Sequence, residues 1–214
     1  RVLFDFASDR IDVLCNADLL TEGWDETRAA VVMHLAPTTS ERVFVQRLGR
    51  VMKVEKDILV LFMTTHGMSR QLAVWFPGFS LLQVTPALLA ESLARSGIKN
   101  RVVILSACYS GSFIPALRNP DTMVITAARG DRTSFGCNPR NEWTFFGDAL
   151  FNRALRQTAS LPAAFDTARA TVGQWERAQR LTPSEPQVFI GDAIRPRLEQ
   201  LARQLEGSAR SIRN

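Results

Sequence analysis

Ile58-Leu59-Val60-Leu61-Phe62-Met63 runs through Thr64-Thr65 into His66-Gly67, and Arg101-Val102-Val103-Ile104-Leu105 runs through Ser106-Ala107 into Cys108-Tyr109-Ser110-Gly111. Both stretches are short, apolar and rich in β-branched residues, without polar alternation. That is the pattern of strands buried on both faces of a parallel sheet. Parallel strands align their carboxyl ends, and open α/β sheets hold ligands at that edge. A His and a Cys delivered there by neighbouring strands can face one another.

Working outward, Met123-Val124-Ile125-Thr126-Ala127-Ala128 reads as a third buried strand, followed by a polar, glycine-bearing loop from Arg129 to Glu142. Pro86 opens a predicted helix in which Leu88, Leu89, Leu93 and Ile98 are spaced for one apolar side. Further helices are expected near 144–157 and 161–181, and after Asp192. The expected fold class is α/β, a layered, mostly parallel sheet flanked by helices.

The chain has 214 residues, enough to bury a sizeable core, with 46% apolar and 22% charged residues. No apolar run reaches the roughly 18 residues of a membrane helix. Cys15, Cys108 and Cys137 are odd in number and far apart, which argues against a disulfide framework and for a reducing compartment. Neither a CxxC pair nor a His pair at ligand spacing occurs, so no metal and no cofactor are expected. Net charge is +5, and only three of the 26 basic residues are Lys. The charge is spread along the chain, which permits nucleic-acid binding without indicating it. The chain opens on Arg1 with an early acid and no cleavage-site pattern, and is read as a fragment without a signal peptide, cytoplasmic on its own sequence.

Residues 1–53 have a separate character. Ile11 to Cys15 and Ala29 to Leu35 read as strands, and Ser40 caps a predicted helix carrying Val43, Phe44 and Leu48. Leu14 to Asp25, with its Thr-Glu-Gly-Trp-Asp ending, and Gln46-Arg47-Leu48-Gly49-Arg50-Val51-Met52-Lys53 resemble the fifth and sixth motifs of superfamily 2 helicases, from the second RecA-like domain. That resemblance implies phosphate-facing arginines, with Arg50 at one such position and Lys53 where an Arg usually stands. No glycine-rich loop with a following Lys is present, so no ATPase is expected. The expected domains are a partial RecA-like segment at 1–53, continuing the sheet of the remainder, and a second domain at 54–214.

The chemistry available to the opening pair is nucleophilic. A free thiol ionises near pH 8.5, so Cys108 needs a base, and His66 is the candidate. The N–H groups of Cys108 and Gly67 would form an oxyanion hole, commonly worth about 3–4 kcal/mol per donor. On spacing alone the alternative stands beside this reading: a Cys at a strand end is often a small core hydrophobe, and a lone His is often structural. His34 and Cys137 are read as non-catalytic.

Thr65-His66-Gly67 with Ser106-Ala107-Cys108-Tyr109-Ser110-Gly111 resembles the catalytic signature of the legumain-like cysteine peptidases, which have the caspase–hemoglobinase fold. The likeness continues through Ala127 to Gly136, Phe145-Phe146-Gly147-Asp148 and Ser184-Glu185-Pro186-Gln187, over roughly residues 55–195. By that resemblance His66 is the base, Cys108 the nucleophile and Gly67 part of the oxyanion hole. Ser106, Ser134 and Asp148 would meet the residue before the scissile bond, which in legumains is Asn and sometimes Asp. Ser106 stands where animal and plant legumains carry an acid. Their N-terminal strand–helix–strand unit is replaced here by the helicase-like segment.

The expected function is thus a cysteine endopeptidase acting on peptide or protein substrates. The alternatives are a helicase-derived accessory module binding nucleic acid through Arg47 and Arg50, and an inactive chimera.

Overall fold

The structure, a computed structural model, describes residues 31–34, 58–74, 82–137 and 141–211. The expected strand at 11–15 and the helix after Ser40, with Arg47, Arg50, Lys53 and Cys15, lie outside those residues.

In chain order the elements are β1 (Val31–His34), β2 (Ile58–Thr64), β3 (Gly67–Met68), β4 (Gln71–Val74), β5 (Leu82–Val84), α1 (Pro86–Arg95), β6 (Arg101–Ser106), α2 (Ile114–Leu117), β7 (Thr122–Thr126), α3 (Phe145–Gly147), α4 (Leu161–Ala178), β8 (Gln187–Ile190) and α5 (Arg195–Ser211). The main sheet has the order β1-β2-β6-β7-β8, with β1, β2, β6 and β7 parallel and β8 antiparallel at the edge. β3, β4 and β5 form a separate antiparallel sheet. The fold class is therefore α/β with a mostly parallel sheet flanked by helices. β1 pairs with β2 in the register Val31↔Ile58 to His34↔Leu61, so the chain before the expected junction at 53/54 extends the same sheet.

The unalternating strands are explained by two cores. Ile58 and Val60 of β2, Val102 and Ile104 of β6, and Met123 and Ile125 of β7 face one cluster, closed by Phe165 and Val172 of α4 and Leu198 of α5. Leu59 and Leu61, Val103 and Leu105, and Val124 face the other, closed by Leu89 and Leu93 of α1 and by Phe113, Ile114 and Leu117. Period-2 geometry thus sends every second apolar side chain to a different core, and each large one fully buried contributes about 1.5–3 kcal/mol.

Three differences from the sequence reading have local causes. Leu88 is exposed rather than part of the α1 stripe, because the buried face of the helix runs through Pro86, Leu89, Ser92 and Leu93, while Ile98 is buried beyond the helix end. The stretch expected as one helix near 144–157 is helical but changes pitch, from α3 into a wide π turn over Asp148–Arg153 and a tight 3₁₀ turn over Ala154–Arg156. The wide turn places residue i+5 over residue i, and the Nε of Arg153 there donates to Asp148 Oδ2 at 2.9 Å. Finally, β8 and the small sheet were not expected, since their strands have two to four residues and carry little periodic signal.

Candidate active site

The β2–β6 register ends with Thr64 opposite Ser106, so the two chains leave the sheet side by side. Thr65 is held from both sides, its N–H donating to Ser106 O at 3.3 Å and its hydroxyl to Ala73 O at 2.5 Å. His66 follows, and its carbonyl accepts from Ala73 N at 2.8 Å. Gly67 is then pressed against the Cys108 turn. A Cβ at 67 would overlap the Cys108 carbonyl oxygen and lie 3.2 Å from Ala107 Cβ. The two strand ends that opened the sequence reading therefore meet through backbone. Among the described residues no hydrogen bond joins the His66 imidazole to the Cys108 thiol.

Gly67 faces Leu72 across β3–β4, and the bonded pairs flank it, at His66–Ala73 and Met68–Gln71. In such a ladder the intervening residue turns its N–H and C=O away from the partner strand. The Cys108 N–H makes no hydrogen bond among the described residues either. Both donors named from the sequence are thus free of the ladders around them.

The Cys108 turn is tight. Tyr109 takes the left-handed conformation (φ 56°), uncommon for a residue with a side chain, and its N–H donates to Arg132 O at 2.7 Å. Gly111 N–H donates to Ala128 O at 2.9 Å, and the hydroxyl of Ser110 accepts from Ala128 N at 3.2 Å. The thiol is half-buried against Ser134. Its Sγ accepts the Ser134 N–H at 3.2 Å and lies 3.5 Å from Ser134 O and 3.6 Å from Ser134 Oγ. Ser134 thereby touches the sulfur itself. Cys137, three residues on, is exposed as a residue, yet burial pushes its thiol pKa up, and the charge of Cys108 pushes it further.

Ser106 is buried at 2% exposure, with its Oγ 3.1 Å from Thr144 Oγ1. Thr144 caps α3, accepting from Gly147 N at 3.0 Å. Ser106 thus supports the helix start that leads to Asp148. The loop carrying Ser134 docks on the same helix start, where Phe145 N–H donates to Phe135 O at 3.0 Å. Gly136 makes that approach possible: at φ +92° its missing Cβ would meet Phe145 N at 2.6 Å. Burial opposes ionisation of Asp148, but the 2.6 Å hydrogen bond from Asn152 and the Arg153 guanidinium outweigh it and hold the carboxyl below the usual carboxylate range.

An ion cluster adjoins the Cys108 turn through Arg132. Arg129 pairs with Asp131 and Glu185, its backbone N–H donates to Ser184 O at 2.8 Å, and Arg132 lies 3.9 Å from Glu185. The residues of this cluster lie in the stretches that carry the family resemblance but have no role assigned from sequence, and Ser112, Arg70 and Thr144 are not singled out there. The only signal was a Ser two positions after Ser110 in a glycine turn, a residue type that bonds its own backbone. Among the described residues no group of three or more His, Cys, Asp or Glu could hold a metal ion, and no helix is long and apolar enough to cross a membrane.

A family model described as the peptidase C13 family matches residues 35–196, running across the junction expected at 53/54 and through every strand from β2 to β8. A 51.5 kDa protein of a Lactococcus phage (isolate 7-9) is 38% identical over 55 residues, which is 26% of this chain and 12% of the phage protein. The crystal structure of caspase-1 from Spodoptera frugiperda aligns with a TM-score of 0.47 at 15% identity, over 70% of this chain and 66% of that one. The chain spans less than two thirds of the length of either relative.

Proposed function

Because this chain belongs to the peptidase C13 family, we propose that it hydrolyses peptide bonds with Cys108 as nucleophile and His66 as its base. The observation that carries the assignment of residues is the apposition of Gly67 to the Cys108 carbonyl, which brings the His-bearing and Cys-bearing strand ends into contact. In this reading the Cys108 thiolate attacks the scissile carbonyl carbon, and the C=O π pair moves onto oxygen. The developing oxyanion is held by the free N–H groups of Gly67 and Cys108. Collapse breaks the C–N bond, with the amine leaving on a proton from His66. Water then attacks the thioester, His66 takes its proton, and the thiolate departs. Hydrogen bonds between nucleophile and base are commonly long before substrate binds, and tighten in the complex.

Ser134 and Asp148 are assigned to the pocket for the residue before the scissile bond, with Asn or Asp accepted. The link from Ser106 through Thr144 to α3, and from Phe135 to Phe145, supports this by tying the Ser134 loop and the Asp148 turn to one helix start. Ser106 acts in this scheme by holding Thr144 rather than by touching substrate.

The test is a peptide library digested with wild type, Cys108→Ala and His66→Ala. Turnover lost in both variants, with cleavage after Asn or Asp in wild type, is the expected result. Turnover retained in Cys108→Ala would refute the assignment, and cleavage unrelated to Asn or Asp would refute the pocket. A nucleic-acid role for Arg47 and Arg50 has no support in the described structure.

A further inference from the structure

We propose that Ser112 is a positioning residue for the reaction assigned to His66 and Cys108, its hydroxyl coupling the hairpin that follows His66 to the turn that carries Cys108. The inference rests on the peptidase reading above and adds a residue to it. Ser112 Oγ donates to Tyr109 O at 2.6 Å and accepts the Arg70 N–H at 3.0 Å. A hydroxyl has one proton, and here Tyr109 takes it, so toward Arg70 the oxygen acts only as acceptor. One atom therefore bridges residue 109, next to the nucleophile, and residue 70, at the tip of the β3–β4 hairpin.

Both bridged residues are left-handed without being glycine, Arg70 at φ 61° and Tyr109 at φ 56°. Such conformations persist where the surroundings hold them. The post that holds them is itself fixed. Ser112 N–H also donates to Tyr109 O at 3.0 Å, and Gly130 closes behind it, leaving a Cβ there only 3.0 Å from Ser112 N.

The consequence falls on Gly67 and His66. They precede the hairpin tip by three and four residues, and Gly67 already lies against the Cys108 carbonyl. Releasing the tip lets the hairpin swing on its β2 root, moving the Gly67 N–H away from the Cys108 N–H with which it must converge. Misplacement on the scale of an ångström costs up to about a hundredfold in rate.

The experiment compares wild type, Ser112→Ala and Ser112→Thr by steady-state kinetics on a peptide substrate and by hydrogen exchange of the Arg70 amide. For Ser112→Ala, kcat is expected to fall about tenfold with KM within about twofold, while the Arg70 amide loses protection. Ser112→Thr keeps the hydroxyl and is expected to recover most of the kcat and the protection. An unchanged Arg70 amide in folded Ser112→Ala, a raised KM at constant kcat, or a folded Thr variant that recovers neither quantity would overturn the proposal. Should Ser112→Ala not fold, the Thr variant decides, with retained Arg70 protection supporting the coupling and its loss overturning it. Exchange is read without turnover, so the two readings separate. A deprotected Arg70 in Ser112→Ala, in a protein whose wild type lacks Cys108-dependent hydrolysis, would sink the peptidase reading and sustain the mechanical coupling.

Discussion

Gly67 lies so close to the carbonyl oxygen of Cys108 that no side chain fits between them. The two residues are 41 positions apart, yet their backbones touch because Thr64 and Ser106 are paired at the last rung of β2 and β6. A site assembled in this way depends on strand register rather than on any bond between its side chains.

Gly67→Ala is therefore expected to damage rate before stability. The added methyl must push the 107–108 backbone away, which misaims both proposed oxyanion donors. Losing one such donor costs about 10²–10³ in kcat. Stability should fall by about 1–3 kcal/mol, the range for a steric fault in a packed region. Kinetics and urea denaturation of the same preparation check both, and an Ala variant with unchanged kcat would contradict the apposition.

The thiols should differ in reactivity. Burial first, and the charge of Cys108 second, raise the Cys137 thiol pKa, so less of it is thiolate at a given pH. Near neutral pH iodoacetamide should modify the proposed nucleophile Cys108 before Cys137, whose raised pKa leaves little of the reacting thiolate. In Cys108→Ala the second contribution disappears, and Cys137 should react faster at the same pH. Peptide-level mass spectrometry reads both rates, and a slower Cys137 in that variant would reverse the sign.

Asp148 gives an acid dependence. Its folded pKa is held below the unfolded value by Asn152 and Arg153 despite burial. A depressed carboxyl contributes stability that is fully present above the unfolded pKa of about 3.9 and is lost as pH falls through the folded value. Asp148→Asn removes that contribution, so its urea midpoint should drop less than that of wild type on acidification through this range. Equal slopes for the two proteins would show that the carboxyl is not linked to folding.

Phe113 is fully buried one turn after Cys108 and belongs to the core beneath α1. Phe113→Ala should cost about 3–5 kcal/mol, because the cavity lies among residues fixed by both α1 and the sheet. The variant should lose urea stability, and a loss below 1 kcal/mol would mean that this core closes around the gap.

The parallel strands were legible because each carries its own local signal, an unbroken apolar run that two cores require. His66, Gly67 and Cys108 could be ranked from the ends of those runs. Ser134 and Asp148 came only through resemblance, since no spacing rule connects residue 134 to a sulfur at residue 108. The β3–β4 hairpin and β8 were invisible for a related reason. Met68 is exposed, β8 is half-buried throughout, and strands of two to four residues supply too few positions to show a period. Ser112 was hidden because its role depends on which distant N–H the fold brings to a hydroxyl already bonded within its own turn, a property of two separate segments.

The late position of β8 in the chain has a consequence for the order in which the protein is made. Ser184 and Glu185, just ahead of β8, anchor Arg129 and lie against Arg132, whose carbonyl holds Tyr109 beside the thiol. A chain growing from its N-terminus exposes Cys108 long before residue 187 can pair with Thr126. Until the segment ahead of that strand docks, the Arg132 loop that bonds Tyr109 lacks its contacts with Ser184 and Glu185. Synthesis thus leaves an interval in which the nascent chain carries the Cys108 thiol but not the residues that later brace the loop beside it.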